Sequence, residues 1–355
     1  MARIVVGMSG GVDSAVAAYL LKIAGHDVIG VTLRTWIPGD GKASRCCEID
    51  DAAESATRMG IPYYAVNCLA EFERYVTGPF VREYLKGRTP NPCTECNRYV
   101  KWEGLLRTAE VMEADLVATG HYASVVKLPG GRYTIKSGAF AEKDQAYMLW
   151  QLTQEQLSRT IMPLGCLSKA QVREIARKAG LTVADKADSQ EICFVPEGNY
   201  GDYIEENSPC EIPGGNFVDE AGNVLGTHSG IVRYTVGQRK GLGLALGHPV
   251  YVKEIRAEKN EIVIGDERSL MRSAIVCENV NYMAIPDLQE GESIRGMVRV
   301  RYHHSGETAM ILPVGIGKVR VMFDRPVRAP APGQSAVFYD GDGCLIGGGV
   351  ITGSG

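Results

Sequence analysis

A glycine-rich segment near the N-terminus has the residues expected of a phosphate-binding loop. The sequence SGGVDS, residues 9–14, lies between an apolar, strand-like run at residues 4–6 and a helical pattern that begins at Asp13. Glycines allow a tight turn that brings backbone N–H groups close to an anion, and a helix N-terminus favours negative charge. The Gly-Lys-Ser/Thr ending of a Walker loop is absent, which disfavours transfer of a γ-phosphate. The alternative is a glycine turn that binds no ligand.

Three cysteines form a second group of residues whose types and spacing suit chemistry. Cys93 and Cys96 make a C-x-x-C pair in a proline-rich segment, and Cys193 lies much further along the chain. Pro90 and Pro92 restrict the backbone before this pair, which suits a positioned nucleophile. The chain has ten cysteines and shows no export signal, so we expect most of them to be reduced thiols.

Two other interpretations of these cysteines stay open. Cys93 and Cys96 would form a redox pair, or they would belong to a structural zinc site, which needs four ligands. Cys46 and Cys47 would complete such a site, although adjacent cysteines suit tetrahedral geometry poorly.

Strands that alternate with helices position these residues in the first half of the chain. They predict an α/β fold with a doubly wound parallel sheet and helices on both faces. The glycine loop then follows the first strand, at the edge where such sheets bind ligands. Ser168 and Gln171 predict a capping box. The predicted elements are strands at 4–6, 28–33, 63–67 and 116–119, helices at 13–24, 50–59, 72–86, 102–112 and 168–179, and a loop at 87–97.

The second half of the chain has a different pattern of predicted secondary structure. Glycine-rich turns and short strands predict a small mixed domain, and regularly spaced short strands predict a C-terminal β-barrel. We expect domains at residues 1–197, 198–273 and 274–355.

Composition excludes few classes of function. The net charge of −4 argues weakly against a nucleic-acid partner, but phosphate binding depends on local patches. No apolar stretch approaches the length of a membrane span and no secretory signal is evident, so we expect a cytoplasmic protein without a membrane partner.

The sequence resembles the MnmA/TrmU family of tRNA-specific 2-thiouridylases along nearly its whole length. Its glycine loop is similar to the SGGxDS loop of the N-type ATP pyrophosphatases, which hold the β- and γ-phosphates while an acceptor attacks the α-phosphate. The matching segments are SGGVDS at 9–14, RTPNP at 88–92, ATGHY at 118–122, KDQ at 143–145, SQEICF at 189–194, TVGQRKGLG at 235–243 and PGQSAVFY at 332–339.

This resemblance implies a PP-loop domain that uses ATP to adenylate the wobble uridine of tRNA, after which a sulfur nucleophile replaces AMP. Cys193 matches the residue that carries a persulfide from an upstream sulfur donor protein, and Cys96 matches the cysteine that attacks or releases that sulfur, through a disulfide with Cys193. Asp13 would help to hold Mg²⁺. The expected ATP-binding residues are Gly7, Met8, Ser9, Gly10, Gly11, Val12, Asp13, Ser14, Leu33 and Gly120.

The resemblance also implies contacts with the anticodon stem-loop of tRNA. It favours RNA contacts for Arg301 and Tyr302 near the end of a predicted barrel strand, whereas Arg299 alone is typical of a solvated strand face. The segment 233–240 adds a second basic cluster, so tRNA binding should weaken at raised salt. The expected tRNA-binding residues are Asn91, Pro92, His121, Lys143, Asp144, Gln145, Arg301, Tyr302 and Gln334.

The chain departs from the family pattern at one position. Cys93 stands where the family has the aspartate assigned to general acid–base work. With Cys96 and Cys193 it would ligate three irons of a [4Fe-4S] cluster and leave the fourth iron for a sulfide, which resembles the cluster-dependent tRNA-thiolating enzymes. Delivery of sulfur from a persulfide and from a cluster, with a donor protein or inorganic sulfide as the source, both stay open.

Two other functions share part of this pattern. An ATP-dependent amide-forming ligase would use the same loop, but it needs neither the C-x-x-C pair nor a β-barrel. A tRNA-binding protein with a relic ATP site is disfavoured by the intact SGGVDS segment and by both cysteine segments.

Overall fold

A parallel five-stranded sheet forms the centre of the N-terminal domain. The computed structural model describes residues 1–36, 49–187, 192–195 and 199–354. Its first seven strands are β1 (Arg3–Gly7), β2 (Asp27–Arg34), β3 (Tyr63–Asn67), β4 (Leu116–Ala118), β5 (Ala123–Lys127), β6 (Tyr133–Ser137) and β7 (Thr160–Ile161). The parallel strands run in the order β3-β2-β1-β4-β7, and β5 and β6 pair as a separate antiparallel hairpin.

The central strand is apolar over its length because both faces of the sheet are covered. Ile4, Val5 and Val6 of β1 are fully buried. Val5 belongs to the hydrophobic core on one face, whereas Ile4 and Val6 belong to the core on the other. The chain reverses direction across the sheet between β1 and β4, and such a switch point is where doubly wound sheets bind ligands. The predicted α/β fold is confirmed.

Helices cover both faces of this sheet. The α-helices of the chain are α1 (Val12–Ile23), α2 (Ile49–Met59), α3 (Leu69–Phe72), α4 (Gly78–Leu85), α5 (Pro92–Glu95), α6 (Glu103–Val111), α7 (Gln154–Ser158), α8 (Lys169–Lys178) and α9 (Tyr200–Glu206). Glu73–Thr77 and Cys96–Trp102 are π-helical, so residues 69–85 and residues 92–111 each form one continuous helical run. The second run is called the cysteine helix below. Short 3-10 turns lie at Ala141–Lys143, Ala146–Leu149, Thr182–Asp185, Ile231–Arg233, Ala257–Lys259 and Arg268–Leu270.

The cysteine helix begins earlier than the sequence pattern predicts. The side chain of Asn91 caps it by accepting a hydrogen bond from the N–H of Cys93 at 3.1 Å, and Pro92 occupies its first turn. Asparagine is a preferred N-cap, and proline suits the first helical position because no intrahelical hydrogen bond is lost there. The predicted loop at 87–97 is therefore too long, and both cysteines of the pair lie on a helix.

The predicted capping box at the start of α8 is confirmed. The Ser168 hydroxyl accepts from the N–H of Gln171 at 3.2 Å, and the Gln171 amide oxygen accepts from the N–H of Ser168 at 2.8 Å. This box fixes the position of the first helical residue, Lys169.

The second half of the chain forms a small sheet and a closed barrel, as predicted. The small sheet has the order β10-β11-β8-β9 and consists of β8 (Gly215–Val218), β9 (Val224–His228), β10 (Tyr251–Arg256) and β11 (Glu261–Gly265). The barrel closes in the order β12-β15-β14-β13-β16-β17 and consists of β12 (Met271–Tyr282), β13 (Ile294–Arg299), β14 (Glu307–Gly315), β15 (Lys318–Arg328), β16 (Ser335–Tyr339) and β17 (Leu345–Ser354). None of the helices in the described ranges is long and apolar enough to cross a membrane.

The barrel packs directly on the N-terminal domain. The hydroxyl of Tyr147 donates to the carbonyl of Ser335 at 2.8 Å, and the indole N–H of Trp150 donates to the Ser335 hydroxyl at 2.9 Å. Both aromatic side chains are fully buried. The barrel is thus in a position to shape the site of the first domain.

Candidate active site

The glycine loop lies between β1 and α1, at the switch point of the sheet. Gly10 has a φ of +78°, a conformation that favours glycine. The Ser14 hydroxyl closes the loop, because it accepts from the N–H of Ser9 at 3.1 Å and donates to the carbonyl of Gly11 at 3.0 Å. No side chain caps α1 at Gly11. The positive end of the helix dipole is therefore open to an anion.

Two lysines from distant parts of the chain bring positive charge to this loop. Lys169 Nζ lies 2.9 and 2.8 Å from the two carboxylate oxygens of Asp13, which also accepts a hydrogen bond from the Tyr122 hydroxyl at 2.6 Å. Lys186 Nζ donates to the carbonyl of Gly10 at 3.3 Å, and burial lowers the pKa of Lys186. Sequence analysis missed both lysines, because neither is near the SGGVDS segment in the chain.

Gly120 packs on the glycine loop. A Cβ atom at this position would lie 2.7 Å from the carbonyl carbon of Asp13 and 2.7 Å from the nitrogen of Ser14, so only glycine fits. The next residue, His121, contacts the cysteine helix, with its ring centroid 5.5 Å from that of Trp102. Two consecutive residues therefore join the glycine loop to the cysteine helix.

His121 is a neutral imidazole at physiological pH. Burial, and to a smaller extent the positive charge of Lys101, lower the pKa of His121 to about 3. Its Nδ1 is 2.9 Å from the Thr119 hydroxyl. A neutral imidazole in this position can exchange hydrogen bonds with a ligand, but it adds no positive charge.

Cys93 lies in the first turn of the cysteine helix. Its side chain is exposed to solvent, yet desolvation by the surrounding protein raises the pKa of the thiol, an effect that the charge of Lys101 partly opposes. Lys101 thus acts on both Cys93 and His121. The thiol and the imidazole share one electrostatic environment.

We expect the pH midpoint of Cys93 alkylation to lie higher in the folded protein than in the unfolded chain. The thiolate is the reactive form, so a raised pKa delays reactivity until the pH exceeds the ordinary thiol value of about 8.5. Iodoacetamide labelling across a pH series, with and without urea, measures this midpoint by peptide mass spectrometry. Poor access of iodoacetamide to Cys93 would lower the maximal alkylation rate but would not move the pH midpoint. Equal midpoints in the folded and the unfolded protein would therefore contradict the prediction.

Cys96 lies three residues after Cys93 and starts the π-helical segment. It is 7 % exposed. A three-residue spacing places the two thiols on one side of the helix, and none of the cysteines in the described ranges is in a disulfide.

Cys193 is held in place by the aromatic packing of its neighbour. The ring of Phe194 is buried, with its centroid 5.6 Å from that of Phe72 and 5.2 Å from that of Phe80. These two residues flank the π-helical segment Glu73–Thr77, which also packs against α5. The segments that carry Cys193 and the C-x-x-C pair therefore share the helical run 69–85 as a neighbour.

Metal-ligating side chains do not gather in groups of three or more within the part of the chain that the structure describes. Cys193 packs against the same hydrophobic core that contains Cys96, and ligation of a [4Fe-4S] cluster by Cys93, Cys96 and Cys193 stays a prediction. Cys46 and Cys47, considered above as zinc ligands, lie outside the described residues.

Asp144 and Gln145, expected to contact tRNA, are bonded within the protein. The Asp144 carboxylate is buried and lies 3.3 Å from the guanidinium of Arg299, and the Asp144 carbonyl accepts from the Tyr302 hydroxyl at 3.0 Å. The Gln145 side chain accepts from the N–H of Tyr122 at 3.0 Å. Since the Tyr122 hydroxyl bonds the glycine loop, a continuous set of contacts connects the barrel to that loop.

Arg299 lies at the start of the turn after β13, and its side chain is bonded within the protein rather than solvated. It ends β13 and donates to the carbonyl of His304 at 2.9 Å and to that of Tyr302. Its side chain is 19 % exposed. The expectation of a solvated strand face at Arg299 is therefore wrong, whereas Arg301 in the same turn is exposed.

Replacing Arg299 by methionine should lower the free energy of unfolding by about 2–4 kcal/mol, because the buried Asp144 carboxylate would lose its charged partner. Urea denaturation measures the change. Arg295→Met is the matched control, because Arg295 lies on the same strand and pairs with Asp324 at the exposed surface. The control should cost less than about 1 kcal/mol, and equal losses in the two variants would contradict a buried role for Arg299.

Gln334 holds the segment that leads into the cysteine helix. Its amide donates to the carbonyl of Thr89 at 2.8 Å, and the N–H of Thr89 donates to the carbonyl of Pro332 at 2.7 Å. Gly333 has a φ of +91°, and a Cβ there would lie 2.9 Å from the nitrogen of Thr89. The barrel therefore positions the approach to Cys93.

Three apolar residues expected at the nucleotide site have side chains buried in the hydrophobic cores beneath the glycine loop. Met8, Val12 and Leu33 are 2 %, 3 % and 8 % exposed, respectively. Their side chains pack inwards, so a nucleotide would meet their backbone.

The predicted basic cluster at 233–240 is smaller than expected. Arg233 is neutralised by Asp202 and Glu205, each at 2.6 Å. Arg239 and Lys240 are exposed.

Three family models match consecutive parts of the chain. The tRNA methyl transferase HUP domain matches residues 2–197, the tRNA methyl transferase PRC-barrel domain matches residues 201–266, and the aminomethyltransferase beta-barrel domain matches residues 272–351. The U34-tRNA thiolase NcsA from Methanococcus maripaludis, solved with its [4Fe-4S] cluster, is similar at 23 % identity and a TM-score of 0.36, over 59 % of this chain and 67 % of that one.

Curated relatives match over the full length. The tRNA-specific 2-thiouridylase MnmA of Lachnoclostridium phytofermentans is 51 % identical and that of Acetivibrio thermocellus is 49 % identical, covering 99 % and 98 % of this chain and 99 % of each relative. The chain belongs to the MnmA family of tRNA-specific 2-thiouridylases.

Proposed function

We propose that this chain is an ATP-dependent sulfurtransferase that converts the wobble uridine of tRNA to 2-thiouridine. Membership of the MnmA family supports the reaction class. The observation that carries the assignment of the site is the pair of contacts made by Gly120 with the glycine loop and by His121 with the cysteine helix. Because these residues are consecutive, the glycine loop and the cysteine helix are neighbours, which supports a nucleotide on the loop and a thiol on the helix acting on one substrate.

The glycine loop activates the uridine in the first half of the reaction. ATP binds with its β- and γ-phosphates at the open N-terminus of α1, the uridine O2 attacks the α-phosphorus, and pyrophosphate leaves. Lys169, which pairs with Asp13, and Lys186, which pairs with Asp51, lie beside the loop, where their positive charge would also act on the phosphates. Asp13, which pairs with Lys169, would help to hold Mg²⁺, and the ion would offset the negative charge of the phosphates.

The cysteines replace the activated oxygen in the second half of the reaction. The terminal sulfur of a persulfide on Cys193 attacks C2 of the uridine, and AMP leaves with the electron pair of the C2–O bond. Cys96 then attacks the inner sulfur of Cys193, which forms a Cys96–Cys193 disulfide and leaves sulfur on the base. A dithiol must reduce that disulfide before the next turnover.

This persulfide route suits the observed arrangement better than a cluster does. It needs two thiols to meet in turn, whereas a [4Fe-4S] cluster needs three ligands at the same time. Cys93, whose pKa is raised by desolvation, would serve as a neutral thiol that donates a hydrogen bond where the family has an aspartate. The persulfide sulfur would come from an upstream donor protein, whose own persulfide would transfer its outer sulfur to Cys193 and leave a donor thiol, in the cytoplasm.

Incubation with ATP, a persulfide donor, a dithiol and unmodified tRNA tests the function. Nucleoside mass spectrometry should detect 2-thiouridine, together with AMP and pyrophosphate. AMP formed without thiolated tRNA, in the presence of an amine acceptor, would instead favour an amide-forming ligase. Binding of tRNA without consumption of ATP would favour a non-catalytic protein.

A further inference from the structure

Two tyrosines on neighbouring helical runs stack face to face beside the C-x-x-C pair. The ring centroids of Tyr75 and Tyr99 are 5.1 Å apart, with 14° between the planes. Each residue lies in a π-helical segment, and such segments are frequent at functional sites. The Tyr99 side chain is 37 % exposed. Tyr75 is half-buried against the core, so Tyr99 is the exposed ring that the pair offers to a partner.

An arginine lies at each end of this pair. The guanidinium carbon of Arg74 is 5.0 Å from the centre of the Tyr75 ring, and that of Arg98 is 5.0 Å from the centre of the Tyr99 ring. Arg98 also pairs with Glu103 at 2.6 Å, whereas Arg74 is exposed and makes no ion pair with any described residue. Stacked aromatic rings with arginine beside them are the surface on which proteins hold unpaired nucleobases and their phosphates.

We propose that Tyr75, Tyr99 and Arg74, called here the tyrosine platform, bind an unpaired base of the anticodon loop next to the uridine that is modified. This inference rests on the proposed function. Tyr99 follows Cys96 by three residues, so about one helical turn separates the platform from that thiol. A base stacked on the platform anchors the RNA strand so that its neighbour lies beside Cys96, where the proposed reaction releases it from Cys193. Arg74 contacts a backbone phosphate of the same strand.

An anticodon stem-loop RNA with 2-aminopurine at each loop position in turn tests the stacking. Stacking quenches 2-aminopurine, so the wild-type protein should quench it at a position adjacent to the wobble uridine. Tyr99→Leu should remove this quenching and raise the Kd for RNA about tenfold. Tyr99→Phe keeps the flat ring and should retain both the quenching and the affinity.

Tyr64→Leu is the matched control, because Tyr64 is an exposed tyrosine on β3, with 46 % exposure. It should bind RNA like the wild type. Arg74→Gln should reduce the slope of log K against log salt by about one, as the loss of one phosphate contact requires. Thermal melting confirms that the variants remain folded.

Two results would overturn the tyrosine platform even if the wild type makes 2-thiouridine. One is that Tyr99→Leu quenches and binds the RNA like the wild type. The other is that the wild type quenches at no loop position. Quenching that depends on Tyr99, in a protein that makes no 2-thiouridine, would support the platform and overturn the proposed function.

Discussion

Cys96→Ser should stop the formation of 2-thiouridine while leaving the adenylation of tRNA intact. In the proposed reaction Cys96 releases the modified base from Cys193, and a serine hydroxyl is too weak a nucleophile to do so. In a single turnover without added thiol, we expect the rate of 2-thiouridine release to fall by at least about 1,000-fold, as for other essential nucleophiles. Nucleoside mass spectrometry measures the product, and pyrophosphate release measures adenylation. Without added thiol, the tRNA should remain attached to the protein by a bond that a dithiol breaks.

Cys210→Ser is the control for this variant. Cys210 is an exposed cysteine after α9, and its backbone carbonyl and N–H are both bonded to the Ser208 hydroxyl. Its variant should thiolate tRNA at the wild-type rate. Undiminished thiolation by Cys96→Ser would contradict the role given to Cys96, and loss of pyrophosphate release in that variant would assign Cys96 to the ATP half of the reaction.

Gly120→Ala should weaken ATP binding by roughly 100-fold, the scale of a 1 Å misplacement at an active site. The added Cβ would lie 2.7 Å from backbone atoms of Asp13 and Ser14, and backbone cannot rotate away as a side chain can. Either the glycine loop or β4 must shift, and the phosphate donors at the start of α1 shift with it. Equilibrium dialysis with ATP measures the effect.

Gly130→Ala provides the matched control, because a Cβ at Gly130 would have open space around it. It should bind ATP like the wild type and melt at the same temperature. If Gly120→Ala bound ATP with wild-type affinity, nucleotide binding would not depend on the observed conformation of the glycine loop.

Local sequence signals were sufficient for the elements that surround the site. The SGGVDS segment, the buried strand before it and the Ser168–Gln171 capping box each depend on neighbouring residues, and the structure has all three. The start of the cysteine helix was also encoded locally, by Asn91 and Pro92. Two prolines within three residues are also typical of a loop, so the composition of this segment does not by itself distinguish a loop from a helix start.

Contacts between distant residues were not predictable in this way. Lys169 reaches Asp13 across 156 positions, and Arg299 reaches Asp144 across 155. Periodicity made Arg299 look solvated, because a strand pattern cannot show that a second domain covers the outer face. The same limit applies to Gln334, which lies in the barrel but holds Thr89 before the cysteine helix.

Transfer of labelled sulfur in a single turnover tests most directly whether the glycine loop and the cysteines act on one uridine. Protein loaded with a ³⁴S persulfide is mixed with ATP and unmodified tRNA, and AMP and ³⁴S-labelled 2-thiouridine are measured together by mass spectrometry. We expect the two products to form in equal amounts and neither to form without ATP. Labelled 2-thiouridine made without ATP, or AMP made with no label in the tRNA, would contradict a shared site.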